Sequence, residues 1–205
     1  MPAPEPTRGE RIGLLGGTFD PPHIGHVAAG RAAVEVLDLD RLLLVVANDP
    51  WQKSPERAIT PAEDRLAMTE AMADEIPRAA VSRIEIDRGG PSYSVDTATE
   101  LLASAGPPAP ELYLVVGADL LGGLDSWERA EELKVLVTVA AVSRPSDPTP
   151  IAPAGWRVVW VEGPQINVSS SEVRHRLERG KSVADAVPAG VIRCIAQRDL
   201  YAVGR

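Results

Sequence analysis

The stretch Arg11-IGLLGGTFDPPHIG-His26 decides the fold. Residues Arg11–Gly16 form an apolar run of strand length, and a Gly/Pro/His turn follows. From about Gly25 to Leu37, Ala, Val and Leu recur at helix-compatible spacing, so the segment reads strand, turn, helix. A second continuous apolar run, Leu42–Ala47, suits a strand buried on both faces of a parallel sheet.

Outward from this unit the alternation repeats. Asn48–Ile59 reads as a polar loop. A helix should start at Thr60, with Thr60 as cap, Pro61 in the first helical position and Glu63 closing a capping box, and run to about Asp74. Ala80–Ile86 reads as a third strand, Ser94–Ala105 as a helix and Leu112–Val116 as a fourth strand. Helical pieces at Asp119–Leu121 and Trp127–Leu133 precede a strand at Val135–Val142. After the Pro-rich loop Arg144–Pro153 come a last strand, Arg157–Val161, and helices at Ser169–Arg179 and about Pro188–Arg198. With right-handed crossovers, this order predicts an α/β fold built on a doubly wound parallel sheet. Ligands of such sheets bind beyond the carboxyl ends of the strands, where strand order reverses. The chemistry is therefore expected in loops Gly16–His26, Asn48–Lys53, Gly89–Ser94, Gly117–Trp127 and Gly163–Arg174.

The chain has 205 residues, which suits one domain over 10–205 behind a disordered, Pro-rich leader over 1–9. The net charge of −8 argues against general affinity for nucleic acid or an anionic membrane, though not against a locally positive pocket. No apolar run approaches the roughly 20 residues that span a bilayer. The one cysteine, Cys194, excludes an internal disulfide and a multi-cysteine metal site. With no apolar leader in view, a reducing, cytoplasmic setting is expected. The oligomeric state is open, and a homo-oligomer is compatible with the sequence.

Loop Gly16-GTFDPPHIG-His26 is the richest in chemistry. Its glycines let backbone N–H groups approach a ligand, and the following helix aims its positive end at the same space. It fits neither the Walker A pattern nor G-x-G-x-x-G. His23 and His26 stand three residues apart, a spacing that puts both imidazoles on one side of a helix start, able to donate to one polyphosphate. The bland alternative is a pair of histidines satisfied at a helix end. Later, Val168-SSSEV-Arg174 offers a capped helix start with hydroxyls and a fixed charge, both suited to phosphate. Taken alone it would be a plain N-capping box.

These two segments resemble the H-x-G-H and Ile/Val-Ser-x-Ser/Thr-x-x-Arg signatures of the nucleotidylyltransferase superfamily, which has a Rossmann-like fold. The resemblance covers residues 11 to 203 and narrows to the bacterial nicotinate mononucleotide adenylyltransferase branch. The narrowing rests on Asn48-DPWQ-Lys53, Arg88-GGPSY-Ser94, Gly117-A-Asp119, Asp125-S-Trp127, Ser143-R-Pro145 and Leu200-Tyr201. Two positions depart from that pattern. Glu128 follows Trp127 where an aromatic is common, and Ser146-Asp147 stand where Gly-Tyr often follows Ser-Arg-Pro.

The resemblance implies a reaction in which the 5′-phosphate of nicotinate mononucleotide attacks the α-phosphorus of ATP. Deamido-NAD forms and pyrophosphate leaves. It implies catalytic roles for His23, His26 and Arg174. ATP would be held by these with Gly16, Gly17, Thr18, Phe19, Gly117, Asp119, Ser169 and Ser171. Lys53, Tyr93, Ser94, Trp127 and Glu128 would meet nicotinate mononucleotide, with Trp127 stacked on the ring and backbone amides receiving its carboxylate. Mg²⁺ would bridge the phosphates, coordinated by substrate and water. Asp20 is a further candidate for an outer-shell metal or ribose contact. The alternatives are a sister transferase using nicotinamide mononucleotide or phosphopantetheine, and a non-catalytic nucleotide sensor. A class I aminoacyl-tRNA ligase relative would need a longer chain, a Lys-rich second motif and a basic RNA surface.

Overall fold

In the computed structural model, which describes residues 9–50, 59–143 and 151–201, six strands form a single all-parallel sheet. They are β1 (Arg11–Gly17), β2 (Arg41–Val46), β3 (Ala79–Ser82), β4 (Glu111–Gly117), β5 (Val137–Ser143) and β6 (Val158–Glu162), in the order β3-β2-β1-β4-β5-β6. This is the doubly wound order, reversing between β1 and β4. The helices are α1 (Ile24–Leu37), α2 (Ala62–Ala73), α3 (Ile84–Arg88), α4 (Ser94–Ser104), α5 (Ala130–Leu136), α6 (Ser170–Leu177) and α7 (Ala189–Gln197), and a 3-10 stretch covers Ala118–Ser126.

The continuous apolar runs work as a parallel sheet requires. Along β2, Leu42, Leu44 and Val46 face the cluster under α1, α2, α6 and α7, while Leu43 and Val45 face the one under α4 and α5. Along β4, Tyr113 and Val115 alternate in the same way with Leu112, Leu114 and Val116. No helix among the described residues is long and apolar enough to cross a membrane.

Three local expectations fail, each for a physical reason. The third strand stops at Ser82, and Ile84–Arg88 is helical. Ile84-Glu85-Ile86 mimics strand alternation, yet the isoleucines pack against different clusters and an Arg83–Asp87 pair at 2.8 Å spans one helical turn. The fifth strand begins at Val137, because Val135, 72% exposed, still lies on α5. The apolar run Val135–Val142 hides that boundary. Finally, Pro61 rather than Thr60 caps α2, with no side-chain cap bond. The Thr60 carbonyl instead accepts from Arg65 Nε at 2.7 Å. The Ser169 box forms as expected: its hydroxyl accepts the Glu172 N–H at 3.2 Å.

Asp125 anchors the corner before α5. It accepts from Trp156 Nε1 at 2.9 Å and pairs with Lys134 at 3.0 Å. These contacts, the indole bond first, hold its carboxyl below the usual range. The leader 1–8, Trp51, Lys53 and loop residues 144–150 lie outside the described residues.

Candidate active site

Because strand order reverses between β1 and β4, the loops leaving them diverge and open a cavity of about 740 Å³ at the carboxyl edge of the sheet. Gly16, Gly17, Thr18, His23 and His26 line it from the β1 side, and Gly117 and Asp119 from the β4 side. Tyr93, Ser94, Trp127 and Glu128 line it as well. Eleven of the sixteen residues singled out from sequence thus share one cavity.

His23 occupies the cap position of α1 with extended backbone, and its ring stacks on His26 with centroids 3.8 Å apart. The His23 backbone N–H donates to His26 Nδ1 at 3.1 Å. Since Nδ1 accepts, the neutral His26 ring carries its proton on Nε2, which is therefore a donor. The helix-start bond and the Nε2 donor thus sit on opposite nitrogens of one ring. Gly25 is needed for this stack: a Cβ there would lie 3.0 Å from the His23 ring. Phe19 does not line the cavity. It is 1% exposed in a left-handed backbone conformation, with its ring 4.9 Å from that of His26.

Ser169, Ser171 and Arg174 are also outside the lining, but α6 is bound to the loop after β1. Arg174 donates to the Asp20 carbonyl at 2.6 Å and to the Ser171 hydroxyl at 3.0 Å. Ser170, which the motif leaves unassigned, donates to the Pro21 carbonyl at 2.9 Å. The Asp20 carboxylate is buried and accepts from the Tyr201 hydroxyl at 2.6 Å, so it faces the C-terminal segment rather than the cavity. Burial and the adjoining Asp20 charge push the Tyr201 hydroxyl far above its ordinary value.

The opposite wall is laced in a similar way. Gly89 and Gly90 adopt positive φ and carry the chain from α3 into Pro91 and Ser92. Ser92 then accepts the Asn48 N–H at 2.8 Å, and Asn48 Nδ2 donates to the Gly90 carbonyl at 2.9 Å. Tyr93 stands at the cap position of α4 with no side-chain cap bond; the Asp96 N–H donates to the Tyr93 carbonyl at 3.1 Å, and the Ser94 and Val95 N–H groups are left without a capping side chain. Arg129, in left-handed conformation, pairs with Asp96 and so ties the Trp127–Glu128 corner to the start of α4.

Two residues of this architecture escape a motif reading. Arg65 is 1% exposed and spends its guanidinium on carbonyls: Thr60 at 2.7, Thr18 at 2.9, Ala47 at 2.6 and Asn48 at 3.0 Å. Glu85 lines the cavity while 7% exposed. Its only sequence signal is a charge inside Ala80–Ile86, a stretch that reads as a strand.

The cytidylyltransferase-like family model matches residues 14–176, from β1 through the α6 motif. A relative from Thermus thermophilus is 45% identical over 191 residues, covering 93% of this chain and 99% of its own, and carries the name nicotinate-nucleotide adenylyltransferase. One of the same name from Corynebacterium kroppenstedtii is 41% identical over 93% of this chain and 90% of its own. The chain belongs to the nicotinate-nucleotide adenylyltransferases. It is accordingly an enzyme of the nucleotidyltransferase class, and its reaction is the adenylyl transfer of NAD biosynthesis. The fold is also that of a Plasmodium falciparum nicotinic acid mononucleotide adenylyltransferase solved in complex with NaAD (TM-score 0.74, 18% identity, 94% of this chain and 97% of that one). Within the adenylyltransferase frame, the His23–His26 stack and the Trp127 wall lie on facing sides of the switch point.

Proposed function

We propose that the cavity binds ATP along the β1–α1 loop and nicotinate mononucleotide against the Tyr93–Ser94 and Trp127–Glu128 wall. An oxygen of the acceptor's 5′-phosphate attacks the α-phosphorus in line, the bond to the bridging α–β oxygen breaks, and pyrophosphate departs. The observation that carries this reading is the joint lining of one cavity by a two-histidine donor site and an aromatic wall next to an uncapped helix start.

Little covalent chemistry is required of the protein, so positioning and charge stabilisation carry the rate. His26, as an Nε2 donor, and His23 bind phosphoryl oxygens as charge builds on them. Arg174, already oriented by the Asp20 carbonyl and Ser171, holds the leaving pyrophosphate with the Ser169 and Ser171 hydroxyls. Gly117 brings backbone close to the adenosine beside Asp119. A Cβ on Gly117 would lie 2.3 Å from Asp119 Oδ1. Lys53 is assigned to substrate phosphate by resemblance alone. Trp127 stacks on the pyridine ring, and backbone N–H groups at the start of α4 receive its carboxylate.

Mg²⁺ would be held by the phosphates of the nucleotide and by water rather than by a protein cage. The donor set fits that reading: the groups facing the phosphates are imidazole and guanidinium N–H donors, whereas Mg²⁺ takes hard oxygen ligands. When bound, the ion neutralises charge across the phosphates.

The test is pyrophosphate release with ATP and Mg²⁺, comparing nicotinate mononucleotide, nicotinamide mononucleotide and phosphopantetheine at equal concentration. Turnover with nicotinate mononucleotide well above the other two is expected. Equal use of acid and amide would overturn the N–H pocket for the carboxylate, because an amide brings its own donors against those donors.

A further inference from the structure

Glu85 has no part in the mechanism above, yet it is one of the residues that line the cavity. Its side chain is 9% exposed. The Thr97 hydroxyl donates to Oε1 at 2.7 Å, and Arg88 approaches that oxygen at 3.9 Å. Arg88 does not cancel the charge. It binds Glu100 more closely, at 3.1 Å, and donates to Thr97 at 3.1 Å. Two carboxylates thus share one guanidinium, leaving the wall one charge negative at a buried site. Thr97 stands one turn into α4 from Ser94, so this charge belongs to the acceptor end. Trp127, packed in the same cluster as Ile84 and Tyr93, lines this cavity with a π surface, and Glu128 lines it with a second carboxylate.

A π face together with buried negative charge is the combination that holds an organic cation. The proposed acceptor contains one. Its pyridine nitrogen is quaternised by the ribose and carries a permanent positive charge in the oxidised ring, which the dihydropyridine form lacks. We infer that Glu85 is the counter-charge to the acceptor's pyridinium, making the pocket selective for oxidised over reduced mononucleotide. This rests on the acceptor assigned under the proposed function. The selectivity is separate from acid-over-amide choice, since the ring charge is common to acid and amide.

The experiment is calorimetric titration of the full chain with nicotinate mononucleotide and with its 1,4-dihydro form, in wild type and Glu85→Gln. The substitution keeps the shape and an oxygen for Thr97 but removes the charge. Wild type should bind the oxidised form roughly tenfold more tightly than the reduced one. Glu85→Gln should weaken the oxidised form by about the same factor, leaving the reduced form and ATP within about twofold. Nicotinamide mononucleotide should lose affinity by the factor seen for nicotinate mononucleotide.

Equal binding of both redox forms by wild type overturns the inference whether or not the variant folds. Equal weakening of both forms in Glu85→Gln also overturns it, and marks Glu85 as a ribose contact or a structural prop. Tighter binding of the acid alone in the variant overturns it too, by placing Glu85 against the nicotinate carboxylate. If wild type binds neither form, the acceptor assignment itself falls, and this inference falls with it.

Discussion

The proposed reaction gives the two nitrogens of His26 separate duties, one in folding and one in chemistry, so the two are separable by substitution. Nδ1 accepts the His23 N–H at 3.1 Å, a bond that Asn can reproduce with its Oδ1. Asn cannot reach as far as Nε2. His26→Asn should keep a melting temperature close to wild type and lose turnover by about 10²–10³-fold, the usual cost of a transition-state donor. Both are read from a thermal melt and steady-state kinetics on one preparation. Wild-type turnover in this variant would remove His26 from the chemistry. The two histidines were legible in the sequence because their spacing within a Gly/Pro turn has few structural explanations. Glu85 and Arg65 were not, because a lone charge carries no pattern until the fold shows what surrounds it.

Helices α2 and α7 are far apart in the chain but meet closely, and Gly190 permits it. A Cβ there would stand 2.6 Å from the Ala71 carbonyl oxygen, a backbone atom that cannot turn aside. Gly190→Ala should therefore destabilise the protein by about 1–3 kcal/mol, as overpacking does, measured by urea unfolding. KM values of the folded fraction should stay put, since α7 contributes nothing to the cavity lining. An element with its own punctuation was readable in advance: Ser169 opens α6 with its capping bond. Boundaries buried inside an apolar run, such as Leu136 to Val137, were not, because Val and Leu satisfy helix end and strand start alike.

The chain closes on itself through Tyr201, whose hydroxyl donates to Asp20 across almost the full sequence. Its acidity is lowered by burial and by the Asp20 charge, so the folded state holds the phenolic proton more tightly than the unfolded chain does. The stabilising contribution is complete below the unfolded tyrosine value near pH 10 and is lost as pH rises beyond it, by at most about 1.4 kcal/mol per pH unit. Tyr201→Phe should be less stable than wild type at pH 8 by about 1 kcal/mol, and the gap should narrow above pH 10 in urea titrations. A gap independent of pH would refute the linkage. Strand alternation foretold the parallel sheet and the edge that carries the cavity. It did not foretell this closure, which joins two segments with no shared pattern.

One guanidinium gives the cavity its mechanical character. Arg65 holds the Thr18 carbonyl of the phosphate loop and the Asn48 carbonyl of the next loop, while Asn48 grips Gly90 and Ser92 beside Tyr93. A short run of hydrogen bonds therefore joins the loop after β1 to the turn that precedes α4. With the substrates bound as proposed, the two loops are expected to shift together, and a strut inside the protein would then set the distance between attacking oxygen and phosphorus.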